Sequence, residues 1–267
     1  MHLLIQIVNY NTREYLLKCL ESLQIDLENY NEEYRIFILD NASNDNLDDV
    51  EQKFRNTKVF YSPKNLGFGG GHNYLFKMTE SKYLLILNPD LLFFEPDTIK
   101  RLFNSMAENK ADVIGPKLIG FDKKPQIGDH GESIGFIAAI KNNLGASHWI
   151  NRENPDFVAW ISGGFMLLDS KYFKKINGFD EKFFLFKEEE DLCLRMRNEG
   201  AKIFYDSSVK CLHHSSVVAK KSDHIYKSLD YYIQKHYADK ILYKILNPLR
   251  IFYNKIMRVF KIDRELI

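Results

Sequence analysis

Apolar residues along the chain fall into short runs, and between them they recur at helical spacing. Leu3-Leu-Ile-Gln-Ile-Val8 and Tyr34-Arg-Ile-Phe-Ile-Leu39 are runs of the length of a buried strand. Between them Tyr15, Leu16, Cys19, Leu20 and Leu23 recur with helical period, behind a polar turn (Asn9 to Thr12) that offers Thr12 as an N-cap. A short polar helix, a brief strand at Lys58 to Tyr61 and a glycine-rich segment leading into a helix through Met78 come next. Tyr83-Leu-Leu-Ile-Leu-Asn-Pro-Asp90 predicts the central strand. Pro89 cannot donate to a sheet ladder, so the strand stops there and Asp90 stands at its carboxyl edge. Pro96 is placed to open a helix running to about Asn109, and Asp112 to Pro116 make a fifth strand. Such β-α-β alternation predicts an α/β fold, a mostly parallel, Rossmann-like sheet with helices on both faces.

From about Lys117 to Asp156 the periodicity fails, and the segment reads as an excursion or lid over one end of the sheet. Val158 to Leu168 reads as one strand broken by Gly163 and Gly164. Gly178-Phe-Asp-Glu181 is a turn, and Glu188 to Glu199 is helical up to a C′ glycine, Gly200. Two strands, near Lys202–Tyr205 and Val209–Leu212, precede His213 and His214. The pattern divides the chain into residues 1–218, with halves 1–116 and 117–218, and a helical tail over 219–267. In that tail Leu249, Phe252, Tyr253, Ile256 and Phe260 share one helical face opposite Arg250, Asn254, Arg258 and Lys261, with Asn247-Pro248 as cap and first residue. A basic amphipathic helix of this kind fits an anionic membrane surface, and it equally fits a face packed on its own domain or on a second subunit of a homodimer.

Composition narrows the class. The chain's 267 residues can bury a sizeable core, and a net charge of +1 argues against a nucleic-acid binder driven by bulk electrostatics. Three cysteines, widely spaced and odd in number, suit neither a disulfide framework nor a zinc site and fit a reducing cytosol. The N-terminus enters a strand with no cleavable apolar segment before it, and no apolar run has the length of a bilayer span.

Chemistry should gather where the strands end, because ligands of open α/β sheets bind at that edge. The loops Asn9–Thr12, Asp40–Ser43, Asn65–Asn73 and Asn88–Asp90 converge there. The glycines of Asn65-Leu-Gly-Phe-Gly-Gly-Gly-His-Asn73 could let backbone amides approach a phosphate at a helix N-terminus. Their spacing fails the dinucleotide fingerprint, and the acid at Asp40 precedes them, which excludes NAD binding. Asp90, beside the amide of Asn88, can hold a divalent cation; taken alone, it could equally open a turn. His213 or His214 could complete that cation site, although a histidine pair closing a strand is more often structural. Glu188-Glu-Glu-Asp191 at a helix N-terminus reads either as complementation of the helix dipole or as a source of a general base, since the flanking phenylalanines would raise a carboxyl pKa by desolvation.

Taken together, these segments resemble a family 2 glycosyltransferase of the GT-A fold, in the bacterial rhamnosyltransferase-like group. The resemblance runs through Val8-Asn-Tyr-Asn11, Leu39-Asp-Asn-Ala-Ser43, Asn65 to Asn73, Leu87-Asn-Pro-Asp90 and Gly115-Pro-Lys117. It continues through Ser162-Gly-Gly164, Gly178-Phe-Asp-Glu181, Glu188 to Arg195 and His213-His214, in order over about residues 3 to 216. It implies an inverting transferase that moves a sugar from a nucleotide-sugar donor, with rhamnose from dTDP-rhamnose first; the alternatives are a UDP-hexose or UDP-galactofuranose transferase and, given Asn88, a non-catalytic nucleotide-sugar-binding protein. The implied acceptor is a glycan or lipid-linked glycan of a cell-surface polysaccharide, and the implied place is the cytoplasmic face of the inner membrane. Val8, Asn9, Tyr10, Asn11, Asp40, Asn41, Asn65, Gly67, Phe68, Gly69, Asn73, Asn88 and Pro89 would meet the donor. Trp160, Gly163 and Gly164 would lie on the acceptor side. Asn88-Pro-Asp90 stands where the family has Asp-x-Asp, so Asp90 with His213 would bind Mg²⁺ or Mn²⁺, and Asn88 brings a neutral amide in place of a charged ligand. The family's base falls on Glu189, with Asp191 and Glu188 as the alternatives.

Overall fold

The computed structural model describes residues 1–134, 147–214 and 223–239, together with positions 138, 241, 244, 248 and 252. In chain order its strands are β1 (Leu3–Asn9), β2 (Tyr34–Asp40), β3 (Thr57–Tyr61), β4 (Tyr83–Leu87), β5 (Leu91–Leu92), β6 (Val113–Ile119) and β7 (His130–Gly131). They continue as β8 (Ser133–Ile134), β9 (Ser147–His148), β10 (Asp156–Phe157), β11 (Trp160–Ile161), β12 (Phe165–Asp169) and β13 (Ile203–His213). The helices are α1 (Arg13–Asp26), α2 (Val50–Lys53), α3 (Gly67–Phe76), α4 (Thr98–Glu108), α5 (Ser170–Lys175), α6 (Glu188–Asn198) and α7 (Asp223–Tyr237).

The main sheet runs β10-β13-β6-β12-β4-β1-β2-β3, with β5 paired to β13. Its pairings β4–β1, β1–β2, β2–β3 and β6–β13 are parallel, and β12 runs antiparallel to both β4 and β6. Because β12 is reversed, its beginning lies at the edge where β1, β2 and β4 end. The loop before it, Ser162 to Gly164, therefore enters that edge. Alternate residues of β1 feed two cores: Leu3, Ile5 and Ile7 pack with α1 and α4, while Leu4 packs with the α5–α6 side.

Three elements differ from the sequence pattern. The Val158–Leu168 run is two strands, β11 pairing with β7 in a small second sheet and β12 entering the main one. The expected strands at 202–205 and 209–212 are a single β13, irregular between Asp206 and Lys210, where its pairing advances one residue on β6. The helix expected from Pro96 starts at Thr98, because the Asp26 carboxylate at the end of α1 accepts from Thr98 N (2.6 Å) and Ile99 N (3.0 Å) and caps it from another element. Thr12 does stand before α1, yet its hydroxyl donates to Asn9 Oδ1, and Asp45 Oδ2 accepts from the Thr12 and Arg13 amides instead.

Within the 117–156 excursion, β7, β8, β9 and β10 all find partners, so the described parts of it are ordered by pairing. Beyond β13, α7 packs Leu229, Tyr232, Ile233 and Tyr237 around Phe183, a third and smaller core. The amphipathic pattern expected at 249–261 lies outside the described residues, apart from Phe252.

Candidate active site

Two groups of titratable side chains face the edge where β1, β2 and β4 end. The first is built by β4 and β13. Antiparallel pairing of Leu91 with His213 brings Asp90, just past the Pro89 break, against the last residue of β13. His213 Nε2 lies 3.1 Å from Asp90 Oδ1 and 3.2 Å from Asn88 Nδ2, and both Asp90 and His213 are buried. His213 Nδ1 donates to Gln126 Oε1 at 2.7 Å. With that proton on Nδ1, the Nε2 lone pair faces the Asp90 carboxylate across a gap that a proton or a cation would neutralise. His214, beside it, donates its backbone N–H to Asp90 O and stacks on Phe121 at 3.9 Å.

This donor set, one carboxylate and one imidazole held by a second partner, fits a divalent cation that takes its remaining ligands from a diphosphate. Among the described residues there is no cluster of three or more His, Cys, Asp or Glu that could hold a metal by itself.

The second group is the acidic first turn of α6, and here the four acids separate. Asp191 is fully buried and meets three donors: Arg195 Nε at 2.7 Å, Lys235 Nζ at 2.6 Å and His236 Nε2 at 2.7 Å. Burial opposes its ionisation, but the His236 hydrogen bond and the Arg195 and Lys235 charges outweigh that and hold it down at about 2. Glu190 is paired with Lys187 at 2.6 Å. Glu188 is buried with Oε2 making no hydrogen bond in the protein, and burial, then the neighbouring Glu189, push its pKa well up. Glu189 is the partly exposed member, and burial followed by the Glu190 charge raises it to about 7.

The Ser162–Gly164 turn joins the two groups. A Cβ on Gly164 would lie 3.4 Å from His213 Cε1 and 3.5 Å from Asn88 Nδ2, whereas one on Gly163 would lie 2.9 Å from Phe68 and 3.6 Å from Glu189 Cβ. Asn88 N also donates to Gly164 O at 2.9 Å. The turn is thus packed between the Asp90–His213 pair and the Glu189 side of α6, most tightly at Gly163 against the Phe68 ring.

At the ends of β1 and β2, Asn9 Nδ2 donates to Asp40 Oδ1 (3.2 Å) and Asp45 Oδ2 (2.9 Å), and the Ser43 hydroxyl also donates to Asp40 Oδ1. Asp40 Oδ2 takes part in none of these bonds. Tyr10 stands exposed, and Asn11, in a left-handed conformation, accepts from Asn44 N.

Several residues expected on the donor are turned to the chain's own groups. Asn41 Nδ2 donates to Asn65 Oδ1 (3.0 Å) and Gly67 O (3.1 Å), and Asn73 exchanges hydrogen bonds with Phe179 N and O. The glycine run forms the body of α3, not a loop around a phosphate. A Cβ on Gly69 would strike Phe179 Cβ at 2.7 Å, one on Gly71 would strike Val8 at 2.8 Å, and Gly67, at φ +75°, has Phe184 O against it. These glycines let α3 approach the sheet and the Phe179–Phe184 loop. Pro89 is buried. Trp160, expected on the acceptor side, is buried in the second core with its ring against Gly131, which places it behind the wall and not on it.

Sequence reasoning passed over Ser43, Asp45, Gln126, Lys235 and His236. Asp45 sits in a polar run that could have drawn attention. Gln126 lies in the aperiodic excursion and Lys235 and His236 far along the chain, with no local signal for any of the three.

This fold is that of the GT-A glycosyltransferases. A family model described as "Glycosyl transferase family 2" matches residues 5–176, and one described as "N-terminal domain of galactosyltransferase" matches residues 153–215. The chain belongs to glycosyl transferase family 2, in its rhamnosyltransferase-like group.

Among its relatives is "Rhamnosyltransferase WbbL" of Escherichia coli K12, 25% identical over 225 residues that cover 78% of this chain and 82% of that one. Another is the "N-acetylglucosaminyl-diphospho-decaprenol L-rhamnosyltransferase" of Mycobacterium tuberculosis H37Rv, 23% identical over 239 residues (78% and 75% covered). Solved structures share the fold. The Mannosyltransferase PcManGT from Pyrobaculum calidifontis, crystallised with GDP-Man and Mn²⁺, matches with a TM-score of 0.58 at 10% identity, over 82% of this chain and 58% of that one. S. aureus TarS matches at 0.55 and 18%, over 78% and 61%. The chain therefore spans less than two thirds of either solved chain. No helix of the described residues is long and apolar enough to cross a membrane.

Proposed function

We propose that this chain transfers a hexosyl group, rhamnose from dTDP-rhamnose first, from a nucleotide sugar to a hydroxyl of a lipid-linked glycan acceptor, with inversion. The observation that carries the reading is the Ser162–Gly164 turn, packed on one side against the Asn88–His213 contact and on the other against Glu189. The names of the relatives support rhamnose, and the N-acetylglucosaminyl-diphospho-lipid acceptor of the mycobacterial relative supports an acceptor of that chemistry.

Asp90 and His213 would hold Mg²⁺ or Mn²⁺, which supplies charge stabilisation to a diphosphate leaving group when bound. Gln126 holds the His213 ring so that Nε2 faces Asp90. Asp40, at the end of β2, would accept from the base or ribose of the donor. Glu189, raised to about 7, takes the proton from the acceptor hydroxyl as it attacks the anomeric carbon opposite the diphosphate. Asp191, ion-paired on both oxygens, serves the helix, and the charge of Glu190 adds to burial in raising Glu189.

The segment 219–267 would bring the enzyme to the cytoplasmic face of a membrane through its basic amphipathic stretch. Loss of flotation with anionic vesicles on removal of residues 244–267 is the expected result, and unchanged flotation rejects this role.

Calorimetric titration with dTDP-rhamnose, UDP-glucose and UDP-galactose, each with Mn²⁺ and with EDTA, tests the reading. Binding of dTDP-rhamnose that depends on Mn²⁺ is expected. Binding of a UDP-hexose alone moves the donor to that sugar, and no binding by any of the three rejects the donor assignment.

A further inference from the structure

α7 lies beyond both family-model matches, yet it is bonded to the helix that carries Glu189 and to the loop leading into it. Lys235 Nζ reaches Asp191 Oδ1 at 2.6 Å and Asp180 Oδ2 at 2.7 Å, and His236 Nε2 reaches Asp191 Oδ1 at 2.7 Å. Tyr231 donates its hydroxyl to the same Asp180 oxygen at 2.8 Å, and Ser228 donates to Leu185 O at 2.8 Å. Beneath these bonds Phe183 is enclosed by Leu229, Tyr232 and Ile233.

The loop so gripped is one that would not hold itself. Phe186 (φ 71°) and Lys187 (φ 69°) are consecutive non-glycine residues in the left-handed region, immediately before α6. Such residues persist only where surrounding structure over-determines them. Lys187, at the N-cap of α6, makes no side-chain capping bond, and the first turn carries four acids. Arg195 supplies one brace, bonding Asp191 as well as Ile176 O and Gly178 O. The rest of the hold on Asp191 comes from α7.

We propose that Lys235 and His236 are positioning residues for transfer, holding Asp191 and through it the first turn of α6 on which Glu189 is carried. The proposal rests on the assignment of Glu189 as base. Asp191 is two residues from Glu189, so a shift of this turn moves the Glu189 carboxylate relative to Gly163 and the acceptor. A displacement of about 1 Å there is enough to cost two orders of magnitude in rate.

Hydrogen exchange of the free full-length chain, read by mass spectrometry on peptides spanning residues 183–193, needs no substrate. Lys235→Met and His236→Phe should each speed exchange in those peptides about tenfold or more, with the β1 and β4 peptides unchanged. Lys235→Arg and His236→Gln, which retain an N–H donor, should restore protection. Turnover, followed as dTDP release from dTDP-rhamnose with a short-chain N-acetylglucosaminyl-diphospho-lipid, should fall about 10- to 100-fold in kcat with the donor KM unchanged.

Unaltered exchange in both disruptive variants overturns the proposal. So does a loss of turnover matched by faster exchange throughout the chain, which would mark global destabilisation. If one disruptive variant does not fold, the other decides. Glu189→Gln, run alongside, separates the two readings. An active Glu189→Gln rejects the base, and with it the proposal. An inactive Glu189→Gln beside a Lys235→Met of parental turnover rejects the positioning role alone.

Discussion

The Asp90 carboxylate and the His213 imidazole, 123 residues apart in sequence, meet at 3.1 Å because β5 and the end of β13 pair in antiparallel register. Replacing Asp90 by Ala, or His213 by Ala, should lower transfer by about 100-fold or more and abolish stimulation by Mn²⁺. Gln126→Ala leaves both ligands in place and only frees the ring, so its expected effect is a rise of about 10-fold in the Mn²⁺ concentration for half-maximal rate. Initial rates across a Mn²⁺ series check all three. Full activity of Asp90→Ala in EDTA would reject a cation role for this pair.

Glu189 is raised to about 7 by burial and by Glu190, and a base works only when ionised. The rate should therefore climb with pH through about 7 and level off above it. Glu189→Gln should remove that limb together with turnover, by roughly 100- to 10,000-fold. The same elevation has a stability sign: ionising Glu189 costs the folded state as pH rises from 4.5 towards about 7. Glu189→Gln should consequently melt higher than the parent at pH 8. A melting curve with no gain would show that the carboxylate is better solvated than its surroundings indicate.

Asp191 behaves in the opposite sense. Its pKa is depressed from 3.8 to about 2, so its stabilisation is present above 3.8 and is lost as pH falls through about 2. That difference corresponds to about 2 kcal/mol. Asp191→Asn should unfold at lower urea at pH 7, and the difference from the parent should shrink in acid. Equal urea midpoints at neutral pH would contradict the ion-pair assignment.

Asp26 closes the N-terminus of α4 from the end of α1, accepting from Thr98 N and Ile99 N. Asp26→Ala should cost about 1–2 kcal/mol in chemical unfolding, with donor binding unaffected because α1 runs back from the end of β1 to the start of β2, which puts the cap at the opposite edge of the sheet. Gly71→Ala should cost about 1–3 kcal/mol, since its Cβ would stand 2.8 Å from Val8.

The fold was legible where periodicity was unambiguous. β1, β2 and β4 are mostly apolar runs, interrupted only by Gln6 in β1 and Arg35 in β2 before their polar ends, because the sheet is covered on both faces, and each lies where its run lies. The Val158–Leu168 run misled because every residue but the Ser162–Gly164 turn is apolar, so a change of sheet leaves no polar punctuation. β13 misled in reverse. Asp206, Ser207 and Ser208 look like a break, but they are accommodated as an irregularity within one strand.

In the site, Asp90 and His213 could be paired on paper because each ends a strand. Glu189 could be ranked among its neighbours only by resemblance, and the structure separates it from Asp191 through partners on α7. The glycine run shows the limit most plainly. A helix packed closely on Val8 and Phe179 and a loop around phosphate call for the same residue type, and only coordinates distinguish them.

The irregularity in β13 has a consequence for insertions and deletions. Before it, Asp206 pairs with Pro116; after it, Lys210 pairs with Lys117. Three residues of slack are thus absorbed just upstream of the histidine. Side chains alternate along a strand, so losing one of those three while the downstream register on β6 is kept leaves the Asp90 partner untouched. Losing one residue between Lys210 and His213 instead inverts the alternation and swings the imidazole to the opposite face. Length variation among natural variants of this chain should therefore be tolerated at Ser207–Val209 and eliminated at Cys211 and Leu212.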